Sequence, residues 1–237
     1  MTSANVAFNG IREYIAEGVF QPGSKLPSED QLCKMLGMSR SPVREALRML
    51  DALNVIEIRH GSGSYVRSLS AESLIGSLSL TMGLMPLNSL LSAYELRITV
   101  ESSVAERASA RIDTDQLAEL DELQDQIEAC RDPHESVDID DRFHQKIADI
   151  ASSPASKAFL DVLRSRSRNY SLYDLDTEHS IFRASNMGHR AIIEALKNRD
   201  PQMAKSAMAS HVEMTRHWLE ALQLELQSEH ISPLDAD

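Results

Sequence analysis

Strand-like alternation occurs at a single place in this sequence of 237 residues, between residues 55 and 66, and helical periodicity covers most of the rest. The run Val55-Ile56-Glu57-Ile58-Arg59 alternates apolar and polar side chains, a Gly/Ser-rich turn follows, and Tyr65-Val66 begins a return strand. Three helical patterns precede this pair, separated by Pro-Gly and Gly signals, over 5–20, 28–36 and 39–54. Three helices followed by a two-stranded ribbon are typical of a winged helix-turn-helix domain.

The sequence after residue 70 shows helical periodicity and no further strand pattern. The helical periods run over 71–85, 88–110, 114–130, 136–151, 154–174, 179–198 and 202–227. Prolines at positions 86, 133, 154 and 201 mark helix starts and stops. We therefore predict a mainly α protein, with a winged helix-turn-helix domain over 1–70, an all-α bundle of six to seven helices over 71–228 and a disordered tail over 229–237.

The charge is distributed unevenly between the two segments. The formal net charge is −12, but residues 1–70 contain eight Lys/Arg and seven Asp/Glu, whereas the remainder contains 16 and 29. The acidity therefore does not exclude nucleic-acid binding by the first segment.

Because no long apolar run and no basic-then-apolar leader occur, we expect a cytoplasmic protein with no membrane partner. Cys33 and Cys130 form no CxxC pair, which argues against a disulfide framework and thiolate zinc sites.

The third predicted helix carries residues that are typical of DNA recognition. Arg40 and Arg44 share one face, and Leu47, Leu50 and Leu53 occupy the face expected to be buried. Arginine matches the acceptor pair of guanine, while hydroxyls and amides near a helix start suit phosphates. The alternative, a solvated helix with incidental arginines, is disfavoured by the three-helix-plus-wing context. The predicted DNA-binding residues are Ser39, Arg40, Ser41, Arg44 and Arg48 of this helix and Arg59, His60 and Gly61 of the wing.

Four polar residues lie on otherwise apolar helical stripes of the second segment: Asp140, His144, His189 and His211. Asp140 and His144 are one turn apart, so their side chains share a face. An unpaired carboxylate and three imidazoles inside a helical core are costly, although a single core histidine is usually satisfied by a hydrogen bond. All four together instead predict a divalent metal site. Imidazole and carboxylate ligands favour Zn²⁺ as the cofactor, with Ni²⁺, Mn²⁺ and Fe²⁺ also compatible.

Residues 9–66 resemble the N-terminal domain of the GntR family of bacterial transcription regulators. The resemblance rests on Pro22-Gly23-Ser24-Lys25-Leu26-Pro27-Ser28-Glu29, on Ser39-Arg40-Ser41-Pro42-Val43-Arg44-Glu45-Ala46-Leu47 and on Gly61-Ser62-Gly63-Ser64-Tyr65-Val66. It implies operator DNA contacts from Arg40, Arg44 and the wing tip at His60-Gly61. Asp30 departs from the family pattern, since many relatives place a DNA-contacting arginine there, so the operator preference of this chain is expected to differ.

The helical remainder, about 74–225, resembles the FCD ligand-binding domain of the FadR branch of that family. The markers are Glu95-Leu96-Arg97 with Glu101, Asp140-Asp141-Arg142-Phe143-His144, His189-Arg190-Ala191-Ile192-Ile193, and His211. In relatives with these markers one Asp and three His bind a divalent ion, and by position these are Asp140, His144, His189 and His211. The resemblance also implies that Arg97, together with Tyr94 and Glu101, binds the carboxylate of an effector. The alternative for Arg97 is an i, i+4 ion pair with Glu101.

These features predict a DNA-binding transcription regulator, expected to be a repressor and not an enzyme, whose helical effector-binding domain holds a small organic acid over the metal. Because one recognition helix reads only a few base pairs, we expect a homodimer on a pseudo-palindromic, double-stranded operator. A metal-independent regulator that responds to acyl-CoA or lipid and a metal-dependent hydrolase are the alternatives. We also expect His134, His179 and His217 at the surface, and Tyr170 and Tyr173 at the cavity.

Overall fold

The computed structural model describes residues 1–82, 84, 87–165 and 180–230. The chain forms two compact units, Met1–Ser77 and Leu78–Asp237, so the division falls after the predicted boundary at residue 70. Within the described residues, no helix combines the length and the apolar character that a membrane span requires.

The N-terminal unit contains three helices followed by an antiparallel pair of strands. The strands pair from Ile56 opposite Val66 to Arg59 opposite Gly63, with a turn over residues 60–62. This arrangement confirms the predicted winged helix-turn-helix. The elements are α1 (Ser3–Ala16), α2 (Glu29–Leu36), α3 (Arg40–Ala52), β1 (Ile56–Arg59), β2 (Gly63–Val66) and a short α4 (Ala71–Gly76).

Two local features define the ends of α2. Ser28 and Gln31 form a capping box: the Gln31 backbone N–H donates to Ser28 Oγ at 3.3 Å, and the Ser28 backbone N–H donates to Gln31 Oε1 at 2.9 Å. Gly37 ends the helix with a φ of +66°, a left-handed conformation that glycine adopts without a steric penalty. The turn between α2 and α3 is therefore set by residues that are next to each other in the sequence.

The core of the N-terminal unit is apolar. The side chains that are completely buried in it are Ala7, Ile11, Leu32, Val43, Ala46, Leu50 and Ile56. Leu53 was predicted on the buried face of α3 but is 55% exposed, because it follows the last turn of the helix as its C-cap. One face of α3 thus packs on α1 and α2, and the opposite face, with its arginines, is exposed to solvent.

The C-terminal unit is helical throughout its described part, as predicted. Six long helices and one short helix agree with a bundle of six to seven helices. The elements are α5 (Ser79–Met82), α6 (Leu87–Ser109), α7 (Thr114–Ala129), α8 (Pro133–Ile150), α9 (Pro154–Ser165), α10 (Ser180–Lys197) and α11 (Pro201–His230).

Two of the predicted helices differ from the structure, and the end of a third is not tested. The described part of the helix predicted over 71–85 consists of two short helices, α4 and α5. The first ends at Gly76, a weak helix former, and the Ser77 hydroxyl donates to the Leu74 carbonyl oxygen at 2.7 Å. α9 is described to Ser165, and the rest of the helix predicted over 154–174 lies outside the described residues. α11 extends to His230, into the predicted tail.

The core of the C-terminal unit packs α6 against α10 and α11, and α7 against α8 and α10. Its largest completely buried side chains include Tyr94, Phe143, Ile147, Ile192 and Leu196. This core also encloses a set of charged and polar side chains, which come from all six long helices and form the candidate site.

Candidate metal centre and DNA-contact surface

The four predicted metal ligands converge inside the C-terminal unit. Asp140 and His144 belong to α8, His189 to α10 and His211 to α11. One ligand atom from each residue lies within 4.8 Å of the other three. The three histidines are buried and Asp140 is partly buried. Since metal–imidazole bonds are about 2.0–2.1 Å long, this spacing approaches that of one coordination sphere.

An acceptor oxygen lies beside Nδ1 in two of the imidazoles, as an ion-pair contact in His144 and as a hydrogen bond in His189. His144 Nδ1 lies 2.6 Å from Glu101 Oε2 of α6, and His189 Nδ1 lies 2.8 Å from Gln124 Oε1 of α7. Because both partners are acceptors, we assign the ring proton to Nδ1 and the lone pair to Nε2 in each histidine. The two Nε2 atoms are buried and form no hydrogen bond with a described residue. A metal ion is a partner that would satisfy such lone pairs.

The third imidazole packs directly on a glycine. The His211 ring centroid lies 4.4 Å from that of His189 and 5.2 Å from that of His144. A Cβ atom added to Gly188 of α10 would lie 2.6 Å from His211 Nδ1, closer than real contacts allow. The absence of a side chain at position 188 therefore makes room for the His211 ring.

Arg164 of α9 holds the carboxylates around the centre. Its guanidinium donates to Asp140 Oδ2 and, through Nε, to Asp141 Oδ1 at 2.8 Å. Its Nη1 lies 3.5 Å from Glu101 Oε2. Asp140 Oδ1 in turn lies 3.2 Å from His189 Nε2. Arg164 thus fixes Asp140 with one oxygen facing the imidazoles.

Burial and neighbouring charges set the protonation states. Burial lowers the pKa of His144 and of His211, and the lowering is reinforced by Arg164 beside His144 and by the other imidazoles beside His211. Burial opposes ionisation of Asp140 and Glu101, but the adjacent arginines and imidazoles outweigh it and hold the pKa of each carboxyl well below its usual range. Neutral imidazoles next to ionised carboxylates are the states that bind divalent metals. The donor set therefore fits such an ion.

The three residues that the resemblance assigns to the effector lie together on α6. Arg97, Tyr94 and Glu101 are all buried. Arg97 Nε donates to Glu101 Oε1 at 2.8 Å, and Arg97 Cζ lies 4.4 Å from the centroid of the Tyr94 ring. The i, i+4 ion pair considered as the alternative for Arg97 is thus present, and it is buried. The other carboxylate oxygen of Glu101 contacts His144, so Glu101 lies between Arg97 and one of the predicted metal ligands.

Sequence patterns did not identify three residues of the centre, namely Gln124, Asp141 and Arg164. Two of them carry the same signal as the histidines. Gln124 follows Leu120 by four residues and Arg164 follows Leu160 by four, so each is a polar residue on an apolar helical stripe. Asp141, which pairs with Arg164, carries no comparable signal. That pairing is visible only once α8 and α9 are packed together.

All eight predicted DNA-binding residues are exposed. Five of them lie at the N-cap and along the solvent side of α3, and three lie at the end of β1 and in the turn before β2. Gly61 of this turn has a φ of +71°, which favours glycine. Ser39 is the N-cap of α3 but makes no side-chain capping bond, so the first amides of the helix remain available to a phosphate.

Acidic side chains of α2 contact two of the arginines. Arg40 donates from Nε to Asp30 Oδ1 at 2.7 Å and from Nη2 to Asp30 Oδ2 at 3.0 Å. Arg44 donates from Nε to Glu29 Oε2 at 2.7 Å. The residue that departs from the family pattern, Asp30, therefore contacts a predicted DNA-binding arginine directly.

The remaining predicted positions are outside both sites or outside the described residues. His134 and His217 are exposed, as predicted. His179, Tyr170 and Tyr173 lie outside the described residues.

Comparison with known proteins identifies the family. Residues 4–66 match the family described as "Bacterial regulatory proteins, gntR family", and residues 92–214 match the FCD domain. The chain is 31% identical over 218 residues to the Uxu operon transcriptional regulator of Escherichia coli K12, covering 88% of this chain and 83% of that protein. It is 30% identical over 212 residues to the putative L-lactate dehydrogenase operon regulatory protein of the same organism, covering 85% and 80%.

A solved structure has the same architecture. Streptococcus agalactiae GntR matches with a TM-score of 0.55 and 29% identity, over 90% of this chain and 99% of that one. Both domain matches coincide with the winged helix-turn-helix and with the helical unit that contains the Asp/His cluster. The chain belongs to the GntR family of bacterial regulatory proteins and carries an FCD domain in its C-terminal unit.

Proposed function

We propose that this DNA-binding transcription regulator is a repressor controlled by a small organic acid, which binds beside one divalent metal ion in the FCD domain. The metal ligands are Asp140, His144, His189 and His211. The observation that carries the proposal is the convergence of buried imidazole nitrogens without hydrogen bonds on Asp140 Oδ1. A divalent ion satisfies these lone pairs together, whereas water or a single donor would leave some of them unpaired.

Zn²⁺ is the ion that we propose, and Ni²⁺, Mn²⁺ and Fe²⁺ also suit three imidazoles and one carboxylate. When bound, the ion supplies positive charge and open coordination positions to an oxygen ligand. The protein residues set the rest of the site. Glu101 and Gln124 orient two imidazoles, and Arg164 holds Asp140, so the ligand set is preorganised by three different helices.

The charge of the buried residues favours an acidic effector. Among the described residues at the centre, the carboxylates of Asp140, Asp141 and Glu101 face the guanidiniums of Arg97 and Arg164. A divalent ion changes the formal charge of this set from −1 to +1, and a monocarboxylate then neutralises it. Because uncompensated buried charge is costly, metal and acid should each strengthen the binding of the other.

Arg97 is the residue that we assign to the effector carboxylate, with Tyr94 and Glu101 as its partners. Its guanidinium is already desolvated and oriented, since it lies over the Tyr94 ring and donates to Glu101. A guanidinium fork matches a carboxylate geometrically. Glu101 also contacts His144, so an acid bound at Arg97 would act on the orientation of a metal ligand.

Small hydroxy, keto, dicarboxylic or sugar acids are the effector class that we propose. They offer a carboxylate for Arg97 and a second oxygen for the ion. One relative is named for the L-lactate dehydrogenase operon, and L-lactate is a hydroxy acid of this kind. Acyl-CoA and lipid effectors do not require the Asp/His cluster.

The exposed arginines of α3 and the wing are proposed to bind the operator. Because one α3 helix reads only a few base pairs, a homodimer on a pseudo-palindromic duplex is expected. Binding of the acid would shift the population between dimers that bind the operator and dimers that do not. Release of the operator on acid binding would relieve repression.

Two measurements test these assignments separately. Native mass spectrometry of the purified protein should find one divalent ion per chain together with a co-purifying small acid. If the protein carries no divalent ion and takes up none on titration with Zn²⁺, the metal assignment is wrong. Selection from a random duplex library, with and without the candidate acids, should yield a palindrome whose binding weakens with one acid. If a palindrome is selected and none of the acids changes its binding, only the effector assignment is wrong.

The two alternatives make different predictions. The relatives are named as operon regulators, which does not favour a hydrolase. Turnover of small esters or amides by the metal-loaded protein would support a hydrolase. An unchanged effector response in His144→Ala would support a lipid-responsive regulator without a metal.

A further inference from the structure

The DNA-contact surface, formed by the exposed residues of α3 and the wing, contains the ion pair Asp30–Arg40, in which only Arg40 has been assigned a role. Asp30 is the second residue of α2 and Arg40 the first of α3, and their side chains are 60% and 66% exposed. The two side chains meet through two parallel hydrogen bonds, from Nε to Oδ1 at 2.7 Å and from Nη2 to Oδ2 at 3.0 Å. An exposed pair of this kind contributes little to folding stability. Its two-point geometry instead fixes the orientation of the guanidinium.

The two contacts leave a defined part of the Arg40 fork available. A guanidinium has five N–H groups, and Asp30 occupies the edge formed by Nε and one hydrogen of Nη2. The edge formed by Nη1 and the other hydrogen of Nη2 remains, and it presents two parallel donors. Guanine offers the matching acceptors, O6 and N7, in the major groove. Asp30 and a guanine can therefore bind the same guanidinium at once.

A phosphate is a poorer partner for Arg40 in this arrangement. The Asp30 carboxylate occupies one edge of the fork and repels an anion placed close to it. Arg44 differs, because Glu29 takes only its Nε, at 2.7 Å, and leaves both terminal nitrogens unconstrained by that residue. The two arginines lie one turn apart on the same helix, but only Arg40 is held at two points.

We propose that Asp30 is a specificity-determining positioning residue, which directs Arg40 to a guanine and away from the phosphate backbone. The inference rests on the proposed assignment of Arg40 to the operator. Asp30 does not touch the DNA in this role. Its effect is to order a long side chain before binding and to present the donor edge that reads one base.

The test is a selection from a random duplex library with the metal-loaded full chain. Wild type, Arg40→Ala, Asp30→Asn and Asp30→Ala are compared, and Asp125→Asn is the matched control. Asp125 is an exposed acid of the C-terminal unit, paired with Arg190 at 2.6 Å, so its substitution removes the same charge from the unit that does not contain α3. Affinity for a duplex of unrelated sequence is measured at several salt concentrations, and thermal unfolding reports folding.

Arg40→Ala should lose the guanine preference at one position of each half-site. Both Asp30 variants should relax the preference at that same position by at least about fivefold. They should also bind unrelated duplex more tightly, with a salt dependence steeper by about one ion, because Arg40 becomes available to a phosphate. Asp125→Asn should change neither property.

Two outcomes contradict the inference and are distinguishable. If Arg40→Ala changes the preference but both folded Asp30 variants retain it, Asp30 only neutralises charge and the inference alone is wrong. If Arg40→Ala changes no position, the assignment of Arg40 to the operator is wrong, and the inference is wrong with it.

Discussion

The two units of this regulator differ in where the charged side chains of their candidate sites lie, at the surface in the N-terminal unit and in the interior in the C-terminal unit. Among the described residues, every buried charged or polar side chain belongs to the C-terminal unit, and the N-terminal core is apolar. Arg40 and Arg44 of α3 are exposed and contact carboxylates at the surface, whereas Arg97 and Arg164 are buried with their partners. A surface that binds a polyanion must stay open to it. A site for a metal and a small acid gains strength from exclusion of water.

Removal of a proposed metal ligand should give the largest effect, a loss of metal binding by the C-terminal unit. In His189→Ala we expect metal affinity to fall by more than about 100-fold, beyond the loss typical of an outer partner. The reason is that the imidazole is completely buried and its Nε2 has no hydrogen-bond partner among the described residues, so its loss removes one donor of the proposed coordination sphere. Metal content per chain and calorimetric titration with Zn²⁺ measure the effect.

The control is His217→Ala, which removes a 62% exposed imidazole from α11. Retention of one tightly bound ion in His189→Ala would show that the cluster is not the metal site. Binding of the His189 variant to unrelated duplex should stay within about twofold of wild type, since the contacts of α3 with phosphates are untouched.

The complementary change removes a surface arginine. Arg44→Ala should weaken binding to the selected palindrome by about 5- to 150-fold, the range for loss of one base-reading arginine. Metal content should not change. Gel-shift or fluorescence titration measures the binding to the palindrome. The control is Arg12→Ala, which removes an exposed charge from α1. Equal losses in both variants would indicate a general charge effect and not a reading role for Arg44.

Loss of the residue that orients His189, Gln124, should weaken metal binding less than loss of His189 itself. Gln124→Leu keeps the volume of a buried side chain but removes the acceptor 2.8 Å from His189 Nδ1. We expect metal affinity to fall by about 10- to 100-fold, less than for loss of the ligand. Gln126→Leu on the same helix is the control, and an affinity unchanged in Gln124→Leu would mean that the hydrogen bond does not orient the ring.

A further prediction concerns the space beside His211 and is measured as a change in stability. Gly188→Ala places a methyl group 2.6 Å from His211 Nδ1, so the ring must shift. We expect a loss of about 1–3 kcal/mol of stability from overpacking and weaker metal binding than in wild type. In Gly76→Ala, where the new methyl group meets open space, stability should instead rise by up to about 1 kcal/mol. If the two variants gave the same unfolding curve, the close packing of Gly188 against the His211 ring would be contradicted.

Much of the fold and the four proposed metal ligands were predicted from local patterns in the sequence. The capping box at Ser28, the glycine at position 37 and the alternation before the wing act between neighbours in the sequence. The same helical period that predicted the buried stripes also marked His144 and His211 as polar residues in apolar positions. Leu53 was misassigned because the period does not show where α3 ends.

Most of the side chains that face the interior could be predicted from the sequence, because burial repeats with the helical period whichever helix is the partner. The same period indicated the Asp/His residues and the exposed arginines, but it did not identify Gln124 or Arg164 and it misplaced Leu53. The partners of these groups became visible only in the folded structure. Glu101 meets His144, Gln124 meets His189, and Asp30 holds Arg40. These pairs join different helices at separations unrelated to any helical repeat, so packing between helices determines them.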